Sequence, residues 1–428
     1  MGDSHGPSLP VPLFLRGPSH NTRPSTFTGP AFNTPMKLKQ QPDDFRVEEL
    51  TDVVPGPTGE FALYRLDKTG WTTPDAVAAV RRRWQLDARR VSTGGLKDRH
   101  AVTAQHLTVF RGPKRGLQHE RVTLTYLGQV AEPFTATAIR ANRFTVTLRS
   151  LGRGEIERAE AALTEVADAG LPNYFDDQRF GSVGDAAGEF VGKEMVFGRF
   201  ERALWLALAA PYEFDRADAK REKQLLRDGW LDWPKLKTTL PKGHARSLIH
   251  YLADHPTDFK GAVARLRPEL QGLYLAAYQS FLWNRMLAAW LTRHVPPSDL
   301  ATVELKLARV PVPVRMPAER RADWNALTLP LPSARAKPAP GEAWADLAAD
   351  VLKDEGLTLP ELKVKGLQKP FFSKGDRPGC VRPAGLGHAT ATDELHPGRL
   401  KLELRFDLPR GSYATMLVKR VTAAGASS

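Results

Sequence analysis

The amino-acid sequence predicts an α+β fold in which a mainly helical region interrupts a mixed or antiparallel sheet. Three observations carry this expectation. Alternating apolar and polar residues recur up to residue 148, helix-period stripes take over from residue 171, and alternation returns at residues 400–408. Periodicity alone does not say whether the last strand rejoins the first sheet.

Residues 1–34 are rich in Pro, Gly, Ser, Thr and Asn and lack apolar periodicity, so too little can be buried to offset ordering entropy and a disordered tail is expected. The first strand falls within KLKQQPDDFRVEEL, residues 37–50, where Phe45 and Val47 alternate with charged neighbours; residues 61–66 form the next. Thr73-Pro74-Asp75 reads as a helix start, with Thr73 as N-cap, Pro at the first helical position and an acid in the first turn. Val77, Val80 and Trp84 then make one buried stripe. Arg81, Arg82 and Arg83 leave the helix near its negative end, either as a solvated face or within reach of RNA phosphates.

Residues 121–127 and 142–148 are further strands. In the second, Phe144, Val146 and Leu148 share one face, ordinarily a core face, while Thr145, Thr147 and Arg149 share the other. Residues 154–169 form a helix with Ile156, Leu163 and Val166 inward, which Gly170 ends. Helices follow at 201–209, 217–228, 243–252 and 273–294, the last presenting Leu275, Tyr278, Phe281, Leu282 and Leu287 as a broad surface suited to a core. Pro-rich residues 310–341 hold short strands or loops. Leu400, Leu402, Leu404, Phe406 and Leu408 then alternate with Lys401, Glu403, Arg405 and Asp407.

A chain of 428 residues supports roughly two or three domains. Its 61 Lys and Arg against 48 Asp and Glu give a net charge of +13, which points to a polyanionic partner, nucleic acid first, although a basic balance also serves solubility. The single cysteine, Cys380, leaves no intramolecular disulfide and no thiolate metal cluster, and fits a reducing cytoplasm. Residues 9–15 are broken by Pro10 and Pro12 and do not read as a signal peptide; no apolar run reaches about 18 residues, so no membrane span is expected.

Chemistry concentrates in VSTGGLKDRHAVTAQHLTVF, residues 91–110, where two strand-like runs flank a short loop. Asp98 is its only acid. Lys97, Arg99 and His100 favour the ionised carboxylate, and Gly94 and Gly95 let the backbone bend or approach a ligand closely. As a rule an Asp in a basic turn is a solvated turn residue, so a second signal is needed. Other chemistries lack theirs: no G-x-G-x-x-G, P-loop, H-E-x-x-H or G-x-S-x-G is present, and His100 and His106 have no Cys partners. No metal and no cofactor are expected.

Five stretches in order supply the second signal: LKQQPDDFRVEEL at 38–50, GLKDRHAVTAQ at 95–105, NRF at 142–144, PNYFDDQRFG at 172–181 and LPRGSYAT at 408–415. Together they resemble the TruD family of tRNA pseudouridine synthases, the second matching the family signature G-x-K-D-x-x-A-x-T-x-Q. The resemblance implies a cytoplasmic isomerase that converts a uridine of tRNA, in the best-known members position 13 of the D-arm, to pseudouridine. It implies Asp98 as the catalytic group, Lys39 as the lysine ahead of P-x-D-F, Asn142 and Phe144 beside the target base, and RNA contacts by Gln178 and Arg179. It further implies a catalytic domain split by an insertion from about residue 170 to about residue 381, residues 382–420 completing the catalytic part before a short tail at 421–428. The two parts form an RNA cleft, and such an enzyme can work as a monomer.

One departure stands out. Asp176 occupies a position where the family usually has Gly; if that glycine supports a positive φ, an Asp there costs energy and the loop bearing Gln178 and Arg179 is altered. Two rival readings remain: an RNA-binding or chaperone protein of this fold without turnover, and a hydrolase that uses one carboxylate to release free uracil.

Overall fold

The computed structural model describes residues 26–27, 36–38, 40–184, 188–212, 215–339, 341–367 and 370–423. Alternation in the first part of the chain builds a sheet that counts eleven strands among the described residues. Its centre is Ile139–Leu151, thirteen residues long and thus able to pair antiparallel with Met36–Leu38, Phe45–Thr51 and Leu400–Pro409. Phe45–Thr51 runs parallel to Val102–Phe110, with Val47 opposite Thr103; Phe61–Thr69 and Val122–Val130 follow antiparallel. The sheet is therefore mixed. Phe406 lies opposite Phe144 and Leu404 opposite Val146, so the last predicted strand does rejoin the first sheet.

Apolar faces of the strands bury against helices on both sides. Phe45, Val47, Phe144, Val146, Leu404 and Phe406 join Ile156, Leu163 and Val166 of the helix Arg153–Ala169. Ala62, Tyr64, Leu66, Leu107 and Val109 receive Ala76 and Val80 of the helix Thr73–Trp84, with Val77 and Trp84 half-buried alongside. Each large side chain removed from water in this way contributes about 1.5–3 kcal/mol. Gly170, at φ +76°, ends its helix in a conformation that favours glycine.

The expected cap of the first helix shifts by one residue. Thr72, not Thr73, is the N-cap, its side chain accepting from the Asp75 N–H, and Pro74 falls in the first turn. The reason is tertiary: Thr73 is 2 % exposed and its hydroxyl is committed elsewhere, to the loop that follows residue 93.

Beyond residue 170 helices dominate. Pro268–His294, 27 residues long, is their spine, burying Tyr278, Leu282, Trp283, Met286 and Leu287. Phe200–Leu208, Ala217–Asp228 and His244–Asp254 match the expected helices closely. Val191–Val196, Trp233–Thr239, Phe259–Ala264 and Ala343–Asp354 are helices that the periodicity reading did not mark. In the Pro-rich interval the strands Ala308–Pro313 and Thr328–Pro330 flank a helix, Arg321–Ala326. Leu171–Pro172 and Cys380–Val381 pair antiparallel, so the chain enters and leaves this helical region at one place.

Most of the N-terminal segment lies outside the described residues. Two of its residues, Thr26 and Phe27, pair antiparallel with Met36–Leu38. The final helix, Ala414–Ala423, runs through the start of the segment read as a C-terminal tail. Among the described residues no helix is long and apolar enough to cross a membrane, and no three His, Cys, Asp or Glu side chains group as metal ligands.

Candidate active site

Asp98 lies in the loop between Val91–Thr93 and Val102–Phe110, two strands that pair antiparallel. Gly94 begins that loop, and a Cβ there would come within 2.6 Å of Ile139 Cδ1 and 2.8 Å of the Phe134 ring, so any larger residue would force those side chains to shift. From there the loop is held at its main chain. The Gly95 carbonyl accepts from Gln105 Nε2 at 3.1 Å, and the Lys97 N–H donates to Thr73 Oγ1 at 3.0 Å. Thr73 donates in turn to Gln105 Oε1 at 2.8 Å, closing a buried ring of bonds between helix, loop and strand. Gln105 is the final residue of the signature stretch, which gives that Q a structural reason.

The Asp98 carbonyl accepts from Lys68 Nζ at 3.0 Å, and Asp98 Oδ1 accepts from the His100 main-chain N–H at 2.9 Å. The second bond is a local turn closure typical of Asp, and it aims the carboxylate by fixing one oxygen. Asp98 remains partly accessible while the residues that hold it are buried.

The flanking cations do not behave as the sequence suggests. Lys97 pairs with Glu49 Oε2 at 3.0 Å and donates to Asn142 Oδ1 at 2.7 Å. Its side chain is only 9 % exposed, so it is not available to RNA phosphates. Arg99 donates to the Gly70 carbonyl at 3.2 Å. Glu49 is fully buried and also accepts from the His106 N–H at 2.9 Å. Burial pushes its carboxyl upward, but the His106 bond and the Lys97 charge outweigh that and leave its pKa below the ordinary value.

Asn142 therefore meets the Asp98 loop through Lys97, 45 residues away in sequence. With its carbonyl oxygen engaged, its amide N–H₂ is the end that can face a base. Phe144 sits one step further into the sheet. It is 8 % exposed, stacked on Phe406 at 5.4 Å and edge-on to Phe45 at 6.2 Å, as its strand alternation predicts. Lys39 lies outside the described residues.

Gln178 and Arg179 belong to the junction with the helical region. Gln178 is exposed; Arg179 Nε donates to Ser280 Oγ of the long helix at 3.0 Å, with its guanidinium 5.4 Å from the Phe175 ring centre. Asp176, just before them, has φ −89° and ψ 173°, so no positive φ is required and the feared strain is absent. It is 2 % exposed, ion-paired to Lys419 at 2.8 Å, and accepts from the Thr415 hydroxyl. The departure from glycine thus comes with partners from the C-terminal helix.

Sequence reading missed Lys68, Glu49 and Thr73. For Lys68 a signal exists: Ala62, Tyr64, Leu66 and Lys68 occupy successive positions of one strand face, so alternation alone sends the lysine inward.

Comparison with known proteins gives the family. The family model of TruD, tRNA pseudouridine synthase D, matches residues 26–421. The chain is 29 % identical over 391 residues to a protein named "Probable tRNA pseudouridine synthase D 2" of Methanocaldococcus jannaschii, covering 90 % of this chain and 91 % of that protein. It is likewise 29 % identical to the tRNA pseudouridine synthase D of Aquifex aeolicus, covering 90 % and 98 %. The crystal structure of the TruD protein of Methanosarcina mazei superposes with a TM-score of 0.67 at 26 % identity, covering 93 % of this chain and 94 % of that one. On the strength of a family match that spans both the sheet and the helical region, this chain belongs to the TruD family.

Proposed function

We propose that this protein isomerises a uridine of tRNA, the one at position 13 of the D-arm, to pseudouridine, with Asp98 as the reacting carboxylate. The observation that carries the reading is the placing of Asp98: an accessible carboxylate on a loop whose main chain is tied down at Gly95, Lys97 and Asp98. A merely solvated turn has no need of such a frame. The reaction breaks the C1′–N1 bond, turns the bound uracil and joins C1′ to C5; the C5 proton leaves and N1 ends protonated, so atoms and electrons balance within the nucleotide. Asp98 acts either as a nucleophile at C1′ or as the base that removes the 2′ proton, and both uses need an oriented anion.

Asn142 offers its amide to the uracil edge, and Phe144 offers what remains open of its ring; base stacking on an aromatic side chain is worth about 1–3 kcal/mol. One face of the Phe144 ring already stacks on Phe406. Lys39 is assigned to the neighbourhood of Asp98 by the motif alone. Gln178 and Arg179 are assigned to tRNA contact at the junction of sheet and helical region. We read residues from about 170 to about 381 as an insertion into the catalytic domain, a reading supported by the pairing of Leu171 with Val381 at its two ends. Extruding the base from folded tRNA costs a few kcal/mol, which stacking and phosphate contacts offset.

The test is pseudouridine mapping of tRNA after incubation with the protein and with Asp98→Ala. Pseudouridine at position 13 with wild type and none with the variant is expected. Turnover by Asp98→Asn at the normal rate would remove Asp98 from the chemistry. Binding without any pseudouridine would favour the RNA-binding or chaperone reading, and free uracil would favour a hydrolase.

A further inference from the structure

Lys68 is a charged group that the chemistry above does not use. It is 1 % exposed, at the end of an inward strand face otherwise made of Ala62, Tyr64 and Leu66. Its ammonium donates to three main-chain carbonyls, those of Trp71 at 2.8 Å, Asp98 at 3.0 Å and Lys97 at 3.4 Å. A lysine has three N–H bonds, so each is matched to one acceptor. Removing an ammonium from water is strongly unfavourable unless the site compensates it. Here the negative ends of three peptide dipoles do so, two of them on the catalytic loop itself.

We propose that Lys68 is a positioning residue for Asp98: it clamps the main chain on which the carboxylate is mounted and places a fixed positive charge beneath it that favours the anion. The proposal rests on the reading of Asp98 as the reacting carboxylate. It replaces the role first given to the flanking cations. Lys97, the adjacent basic residue, is neutralised by Glu49 from the strand Phe45–Thr51, and Glu49 also takes the main-chain N–H of His106. Arg99 is engaged by Gly70, and His100 reaches the carboxylate through its main-chain N–H. Lys39, also assigned to this neighbourhood, stands outside the described residues. Burial pushes the Lys68 ammonium down to about 8, with the Asp98 charge holding it up and Lys97 opposing, so it is cationic at neutral pH.

Lys68→Met, which keeps an unbranched apolar stem out to Cε and removes the ammonium, separates the charge from the packing. The probe is the carboxyl titration of Asp98 by carbon-13 NMR, its resonance identified by disappearance in Asp98→Asn, in full-length protein without RNA. Losing the cation should raise the Asp98 midpoint by about one pH unit relative to wild type. Single-turnover pseudouridine formation at pH 7 should fall by about 100-fold with tRNA affinity within about twofold, the pattern of a misplaced reacting group. Lys68→Arg should hold the midpoint at its wild-type value. An unmoved midpoint in a folded Lys68→Met overturns the proposal, as does a rate loss matched by an equal loss of tRNA affinity. If Lys68→Met does not fold, Lys68→Gln retains donors without charge, and the same rise in midpoint is required of it. Should wild type make no pseudouridine, the proposed reaction falls, while the titration still decides whether Lys68 governs Asp98.

Discussion

Two polar regions of the molecule are built on opposite plans. Around Asp98 the frame is main chain: carbonyls and N–H groups of a loop are gripped by Lys68, Thr73 and Gln105, leaving the carboxylate itself partly accessible. Around Gln178 and Arg179 the frame is side chain: Asp176 and Asp177 are tied by Lys419 across more than 240 residues of sequence, at 2.8 and 2.7 Å. Main-chain clamping fixes a reacting group through its backbone. Side-chain pairing fixes a junction by using up the charges that make it. The first plan suits a site that must keep an ionised acid, the second a seam between parts of a fold.

Lys97→Met is the severest test of this contrast, because it breaks the buried ion pair with Glu49 beside the catalytic loop. Glu49 would be left buried without its cation, which in comparable cases costs about 3–5 kcal/mol. A thermal or urea denaturation curve measures it. The pH dependence has a definite sign: the Glu49 pKa is lowered in the folded state, so its contribution is present above its ordinary value of 4.5 and is lost as pH falls through the depressed one. Stability of wild type should therefore decline on acidification below 4.5, and Glu49→Gln should flatten that decline. If Glu49→Gln declines as steeply, another group dominates the acid response.

Lys419→Met comes next. Lys419 and Asp176 are each 3 % exposed, but Asp177 is 38 % exposed and can recover water, so about 3 kcal/mol is expected, the lower end for a broken buried pair. Combining it with Asp176→Gly, the residue usual in the family, should restore part of that loss, because the stranded carboxylate is gone. Turnover per folded molecule should stay within about threefold in both, since no reacting atom moves. A hundredfold loss would place the seam inside the catalytic machinery and erase the distinction.

Much of this arrangement is visible in the sequence, and what is hidden has a physical reason. The strands that carry Phe45, Phe144 and Phe406 alternate plainly because one face of each meets a core. Ala384–Thr392 gave no such signal, since nearly every residue in it is exposed and Gly, Ala, His and Thr leave nothing to alternate. Val191–Val196 is buried on several sides, which blurs the helical period, and Phe259–Ala264, six residues long, spans less than two turns and is too short to display one. Asp98 was legible through its motif, whereas the pairing of Lys97 with Glu49 and Asn142 was not. Its members are 48 and 45 residues apart, brought together by strand register alone.

The smallest predicted effect concerns two adjacent threonines that the sequence could not tell apart. Thr72 caps the helix at the solvent side by accepting from the Asp75 N–H, and replacing such a cap by Ala costs about 1 kcal/mol. Thr73 is buried, accepts from the Lys97 N–H and donates to Gln105, so Thr73→Val leaves two polar groups unpaired at about 1–3 kcal/mol. The two losses overlap in size, yet only the second touches the main-chain frame of Asp98. Thr72→Ala should lower the melting temperature with pseudouridine formation unchanged. Thr73→Val should slow single turnover by about tenfold at temperatures where the protein remains folded, a small misplacement of the carboxylate being enough. Equal activity in the two variants would mean that the loop holds its shape without the helix, and that the clamp from Lys68 and Gln105 suffices.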